Sequence, residues 1–160
     1  PKSLLRHPRA TSPVSDLSDT HFRAVIDDDG VEPSKVRRVV LCTGKVYYDL
    51  LAAREEAGAK NVALVRVEML YPFPGSEIRA IGERYADAEL VWTQEEPKNM
   101  GAWSYIAPRI RDCTGRDPGY TGRPLRASPA EGYADTHETE QNRITTEAVT
   151  VAARKPARKR

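Results

Sequence analysis

The sequence predicts an α/β domain: a mostly parallel sheet with helices on both faces, joined by right-handed crossovers. Three observations lead there. Strand patterns alternate with helix patterns from about residue 36 onward. Residues 62–67, Val-Ala-Leu-Val-Arg-Val, are nearly continuous in apolar character, as in strands covered on both faces. The apolar run at residues 36–42 ends in Thr43-Gly44 directly before a helical repeat, which makes a strand–turn–helix unit.

Residues 1–35, rich in Ser, Asp and Pro, read as a linker that ends in an edge strand at residues 22–26, before the turn Asp27-Asp28-Asp29-Gly30. A domain over residues 36–152 follows. After its first strand, Val46, Leu50, Ala53 and Ala57 recur at helical spacing, and Gly58 supplies a left-handed stop. The turn around Pro72 and Pro74 leads from the second strand into a helix with a stripe of Ile78, Ile81 and Tyr85. Residues 89–93 form the third core strand, and residues 95–101 a loop. Trp103, Ile106, Ala107 and Ile110 then share one helix face, with Pro108 expected to kink or limit that helix. Residues 119–124 read as a short extended segment. Ser128 with Glu131, and Asp135 with Glu138, are capping pairs, the second opening a helix that carries Ile144, Ala148 and Val151.

A chain of 160 residues with 39% hydrophobic content fits one domain and leaves no apolar run near the roughly 20 residues of a membrane-spanning helix. No secretory signal is visible, and a start at Pro1 reads as a fragment. Cys42 and Cys113 give neither a disulfide framework nor metal-ligand spacing, which fits a reducing compartment. Of 25 basic side chains, five lie in residues 154–160, so residues 1–153 carry 20 basic and 23 acidic groups, a net of −3. The tail over residues 153–160 has no apolar partner and is expected to be disordered; a nucleic-acid arm is the less favoured reading.

Glu95 and Glu96 are candidates for acid/base work, but neighbours on an extended strand point to opposite sides and cannot converge on one atom. Thr43-Gly44-Lys45, between a strand and a helix start, is either an anion site built on free backbone amides or a tight turn with Lys45 on the surface. It lacks the phosphate-loop pattern of nucleotide hydrolases. His7, His21 and His137 lie in separate polar contexts and read as surface or hydrogen-bonding groups. Met100, Trp103 and Tyr105 gather apolar mass beside Glu95, Glu96 and Asn99, the composition of an interface core with a polar rim.

Four motifs taken together resemble a known family: Pro1-Lys2-Ser3-Leu4-Leu5-Arg6-His7-Pro8; Cys42-Thr43-Gly44-Lys45-Val46-Tyr47-Tyr48-Asp49-Leu50; Tyr71-Pro72-Phe73-Pro74; and Trp92-Thr93-Gln94-Glu95-Glu96-Pro97-Lys98-Asn99-Met100-Gly101-Ala102-Trp103. They resemble the C-terminal domain of the E1 component of 2-oxoglutarate dehydrogenase, over nearly the whole chain to about Val149. The resemblance implies a transketolase C-terminal fold, a three-layer α/β/α sandwich on a mixed sheet of about five strands, with the run at residues 22–26 as its antiparallel member. It also implies a parent enzyme that is a thiamine diphosphate- and Mg-dependent homodimer, cytoplasmic or in the mitochondrial matrix, which decarboxylates 2-oxoglutarate and passes the succinyl group to lipoyl-E2 in the tricarboxylic acid cycle.

The thiamine-binding domains belong upstream, so this chain is expected to be non-catalytic and to hold no cofactor itself. Asp28-Asp29-Gly30 and Asn61 fail to match the magnesium–diphosphate elements of such enzymes. The resemblance further implies an AMP or acetyl-CoA effector site near a domain interface, for which Lys2, Arg6, Gly44, Lys45 and Arg109 are the candidates. A free-standing anion-binding regulatory or scaffold module is the alternative reading.

Overall fold

Side-chain alternation along β2 (Arg38–Cys42) decides how the layers form. Val39 and Leu41 turn to one face and Val40 and Cys42 to the other, and all four are fully buried. The computed structural model describes residues 2–18 and 21–151; the basic tail at residues 153–160 lies outside the described residues.

β2 is the centre of a five-stranded sheet in the order β1-β3-β2-β4-β5, where β1 is Val25–Ile26, β3 Val62–Val67, β4 Glu89–Pro97 and β5 Gly119–Arg123. β1 pairs antiparallel with β3, Val25 opposite Val67, and every other pairing is parallel. One core packs Val39, Leu41, Val65, Leu90 and Trp92 against α3 (Gly75–Arg84) and α4 (Trp103–Thr114) through Ile78, Ile81, Ile106 and Ile110. The other packs Val40, Cys42, Val62 and Leu64 against α2 (Val46–Glu56) and α5 (Ala134–Val149) through Val46, Leu50 and Ala148. A one-turn helix, α1 (Ser15–Ser18), precedes the sheet. Each fully buried Ile or Leu contributes about 1.5–3 kcal/mol of burial, so the mostly parallel α/β/α sandwich follows from apolar strands that need cover on both faces.

Several boundaries differ from the sequence reading. The edge strand expected at residues 22–26 keeps only Val25–Ile26, and Phe22 is exposed. β4 does not stop at Thr93 but runs to Pro97, through the first part of the expected 95–101 loop. Its pairing shifts register between Thr93 and Pro97, where Pro97 meets Arg123. Pro108 does not end α4, which continues to Thr114 and stops at the left-handed Gly115. Neither capping pair forms. Ser128 donates to the Ala130 carbonyl instead of capping a helical turn, Glu131 is drawn into ion pairs with Arg123 and Arg126, and α5 begins after Tyr133. Gly58, at φ +59°, ends α2 as expected.

The acidic turn before β2 is part of this architecture. Asp28 accepts the Leu64 N–H at 2.9 Å and pairs with Arg54 of α2, while Asp27 accepts the Tyr85 hydroxyl at 2.9 Å and pairs with Arg84 at 3.0 Å.

Candidate functional site: a crevice at the carboxyl ends of the strands

In the strand order β1-β3-β2-β4-β5, the chain leaves β2 toward β3 on one side and returns to β4 on the other. That reversal opens a crevice beyond the carboxyl ends of β2 and β4, where open α/β sheets bind their ligands. Here it is a cavity of about 420 Å³ lined by Thr43, Leu70, Tyr71, Trp92, Gln94, Glu96, Gly101, Ala102 and Tyr105.

Gln94 shapes it. The residue is 3% exposed, and its Oε1 accepts the Trp92 indole N–H and the Trp103 backbone N–H, each at 3.0 Å. Its Nε2 donates to the carbonyls of Glu96, Pro97 and Met100 at 3.1, 3.2 and 2.8 Å. One side chain thereby folds the end of β4 back into the turn that starts α4. Gly101 stands in the left-handed region at φ +63°, and a Cβ there would come within 3.0 Å of Gln94 Nε2 and 3.1 Å of Glu96. Only glycine fits that position without strain.

Glu95 and Glu96 diverge, as neighbours on a strand must. Glu95 reaches the α2/α5 layer, where Oε1 lies 3.0 Å from both Lys45 Nζ and Gln141 Nε2, while Glu96 lies beside Gly101 in the crevice. No shared acid/base pair results.

Lys45 is not a free surface cation. It contacts Asp49 at 2.6 Å and Glu95 at 3.0 Å, and Gln141 donates to Asp49 at 2.9 Å, which closes a four-residue ring between α2, β4 and α5. Burial opposes its charged form, but hydrogen bonds and charge from Asp49 and Glu95 outweigh burial and raise its pKa.

Arg109 lies in the opposite layer. Its guanidinium sits 3.6 Å from the centre of the Tyr105 ring and donates to the Tyr105 carbonyl at 2.8 Å. Lys2 and Arg6 are exposed on the N-terminal segment, which rests on α2 through His7 against Tyr48 at 4.7 Å and Arg9 to Glu55 at 2.7 Å. The structure therefore associates Lys2, Arg6, Gly44 and Lys45 with the α2 side of the sheet and leaves Arg109 apart from them.

Of the remaining interface candidates, Asn99 clamps the 98–101 turn to Arg126, donating to its carbonyl at 2.9 Å and accepting its N–H at 3.0 Å. Met100 is half-buried. Trp103 packs against Tyr120 at 4.9 Å with Lys98 above both rings, and Trp103 and Tyr105 lean on the core.

Three features were missed from sequence: Gln94 as a hub, Tyr71 on the crevice rim, and the nearly buried Arg123–Glu131 pair at 3.2 Å. A polar Gln directly after the strand run Val91-Trp92-Thr93 was the available signal, because a buried amide must find partners.

Residues 11–149 match the family model described as 2-oxoglutarate dehydrogenase C-terminal. The chain is 51% identical over 152 residues to the mitochondrial 2-oxoglutarate dehydrogenase of Caenorhabditis elegans, a match covering 90% of this chain and 15% of that protein. It is 47% identical over 148 residues to the 2-oxoglutarate dehydrogenase E1 component of Cupriavidus necator, covering 90% of this chain and 16% of that one. The chain thus spans about a sixth of the length of these relatives. Among solved structures, a split-gene transketolase in an inactive β4 tetramer superposes with a TM-score of 0.56 at 13% identity, covering 82% of this chain and 43% of that one, which is a likeness of fold. Among the described residues, no helix is long and apolar enough to cross a membrane. The chain belongs to the 2-oxoglutarate dehydrogenase C-terminal family.

Proposed function

We propose that this chain is the C-terminal, non-catalytic domain of a thiamine diphosphate-dependent 2-oxoglutarate dehydrogenase E1 subunit. Its role there is to complete the subunit, support the homodimer and carry the effector response, while upstream domains hold thiamine diphosphate and Mg and the succinyl group passes to an E2 partner. The observation that carries this reading is the family match over residues 11–149, with relatives near 50% identical across 90% of the chain. Among the described residues, the acidic turn at Asp27-Asp28-Asp29 does not fit a magnesium diphosphate. Asp27 and Asp28 are committed to Tyr85, Arg84, Arg54 and the Leu64 amide, which leaves no free carboxylate pair in that turn.

The decisive experiment replaces the matching C-terminal segment of the Cupriavidus necator E1 component with this chain. The chimera is expected to dimerise, decarboxylate 2-oxoglutarate and succinylate lipoyl-E2, whereas the isolated chain binds no thiamine diphosphate in calorimetry with Mg²⁺. A folded but inactive chimera, or saturable cofactor binding by the isolated chain, sinks the proposal.

For the effector, we assign AMP or acetyl-CoA phosphates to the α2 side, where Lys2 and Arg6 are exposed cations on the N-terminal segment and Gly44 stands at the helix start, while Lys45 reaches a phosphate only by giving up Asp49 or Glu95. Arg6→Ala is expected to weaken the chimera's effector response about tenfold, since a charge-assisted contact is worth about 1.5–3 kcal/mol. Turnover without effector stays unchanged. An unaltered response moves the effector site elsewhere.

A further inference from the structure

We infer that the crevice at the carboxyl ends of β2 and β4 is a socket for a basic side chain, arginine or lysine, presented by another polypeptide segment. This rests on the reading that the chain works inside a longer subunit, and it names the chemistry such a segment brings to this site.

Two of the crevice's donors, the Gln94 amide and the first amide of α4, are already used. The Gln94 amide donates to three carbonyls, and its Oε1 takes the Trp103 N–H in the first turn of α4. The helix start therefore has its leading amide capped, and no Lys or Arg lines the cavity. The hydroxyls of Thr43, Tyr71 and Tyr105 are neutral donors, and with no cation among the lining residues and the Glu96 carboxylate beside them they favour an anion little.

What the cavity offers instead is acceptors and rings. Among the described residues, the Glu96 carboxylate has no ion-pair partner, although its neighbour Glu95 has Lys45. Tyr105 already accepts a cation over its ring, from Arg109 at 3.6 Å, and Tyr71 stands at the rim 83% exposed. Leu70 and Ala102 supply an apolar wall for an aliphatic stem, backed by the buried Trp92. An apolar wall, aromatic faces and one unpaired carboxylate complement a long side chain with a cationic head. At about 420 Å³ the cavity lies within the ~300–1,000 Å³ typical of binding clefts.

The test titrates the isotopically labelled chain with an acetylated, amidated tripeptide bearing arginine between two leucines, and follows backbone amide resonances. Counterparts with norleucine or glutamate in the centre, AMP, and butylguanidinium alone serve as further probes. The arginine peptide is expected to shift Gly101, Ala102 and Tyr105 saturably. Glu96→Gln is expected to weaken that binding about tenfold, in keeping with loss of a charge-assisted contact. Tyr71→Ala is expected to weaken it as well. Both positions are exposed, so the variants keep the melting temperature of the parent chain.

Absence of a shift with the arginine peptide up to about 10 mM overturns the proposal, since even a 1 mM contact would register there. Equal binding of the norleucine peptide removes the role of charge. Binding of AMP or the glutamate peptide at these residues makes the crevice an anion site, and butylguanidinium binding as well as the peptide makes the occupant a free organic cation. None of these outcomes depends on the chimera's activity, so this inference and the domain assignment fail separately.

Discussion

Gln94 joins β4 to α4 through five hydrogen bonds made by one 3%-exposed side chain. Gln94→Leu keeps the volume but strands the Trp92 indole N–H and several carbonyls. Each buried polar group left unpaired costs about 1–3 kcal/mol, so urea unfolding is expected to show a loss of several kcal/mol. A loss under about 1 kcal/mol would mean that water replaces the amide. Cys42 offers a second handle. Burial raises its thiol from 9.0 to about 12, with Arg66 pulling down and Glu68 pushing up. A group whose folded pKa is raised contributes its stability below the unfolded value and loses it as pH climbs to the folded value. Stability should therefore fall between pH 9 and 12, with this one thiol supplying about 1.4 kcal/mol per pH unit of the slope. Denaturant titrations of wild type and Cys42→Ala across that window should differ by this slope; identical slopes would show that Cys42 is not the titrating group.

The strands and their covering helices were legible because period and apolar content speak directly to burial: residues 62–67 form β3 as read, and Val46 and Leu50 face the core. The segment after β5 was not, because its local capping signals lose to a tertiary pair. Arg123 and Glu131 are 4% and 6% exposed at their side chains, and Arg123 also reaches the Glu95 carbonyl and His137. No pattern in the sequence announces a partner eight residues away in an irregular segment. Similarly, β4 ran past Thr93 because Gln94 and Pro97 are held by the turn and by β5, contacts that periodicity does not encode. The crevice was half legible: Thr43, Glu96, Gly101 and Tyr105 lay in stretches singled out in sequence, while Leu70 and Tyr71 reach it only through the sheet's reversal. Removing one partner of a buried ion pair costs about 3–5 kcal/mol, so Glu131→Ala is expected to lower stability on that scale. Limited proteolysis within residues 124–133 should become faster. A stable variant with an unchanged cleavage rate would show that Asn99 and Arg126 hold the segment without the pair.

At the scale of the whole molecule, the described apolar side chains divide into a closed sandwich and an N-terminal segment whose large apolar groups stay exposed. Leu5, Val14, Leu17 and Phe22 are 87%, 79%, 82% and 68% exposed, and no residue of α1 is buried. The segment touches the sandwich mainly through polar and ring contacts, Arg9 with Glu55 and His7 with Tyr48. Four large apolar groups this exposed within 18 positions exceed the scattered surface leucines of an ordinary monomer. The matched relatives are about six times longer than this chain, and inside such a subunit, as proposed, the added length could cover these groups. Trp103 behaves differently, since it leans on the core and on Tyr120, so Trp103→Ala should lower the melting temperature of this chain itself. The double variant Leu17→Ser, Phe22→Ser makes the opposite case. Surface changes usually stay within about 0.5 kcal/mol, so thermal unfolding of the isolated chain should be nearly unchanged. Sedimentation of the chimeric subunit should show weaker assembly, because each lost apolar contact removes about 1–3 kcal/mol of burial at an interface. If the isolated chain is destabilised instead, these side chains pack on the sandwich in solution; if neither measurement moves, the segment is a solvated linker and the interface lies on another face.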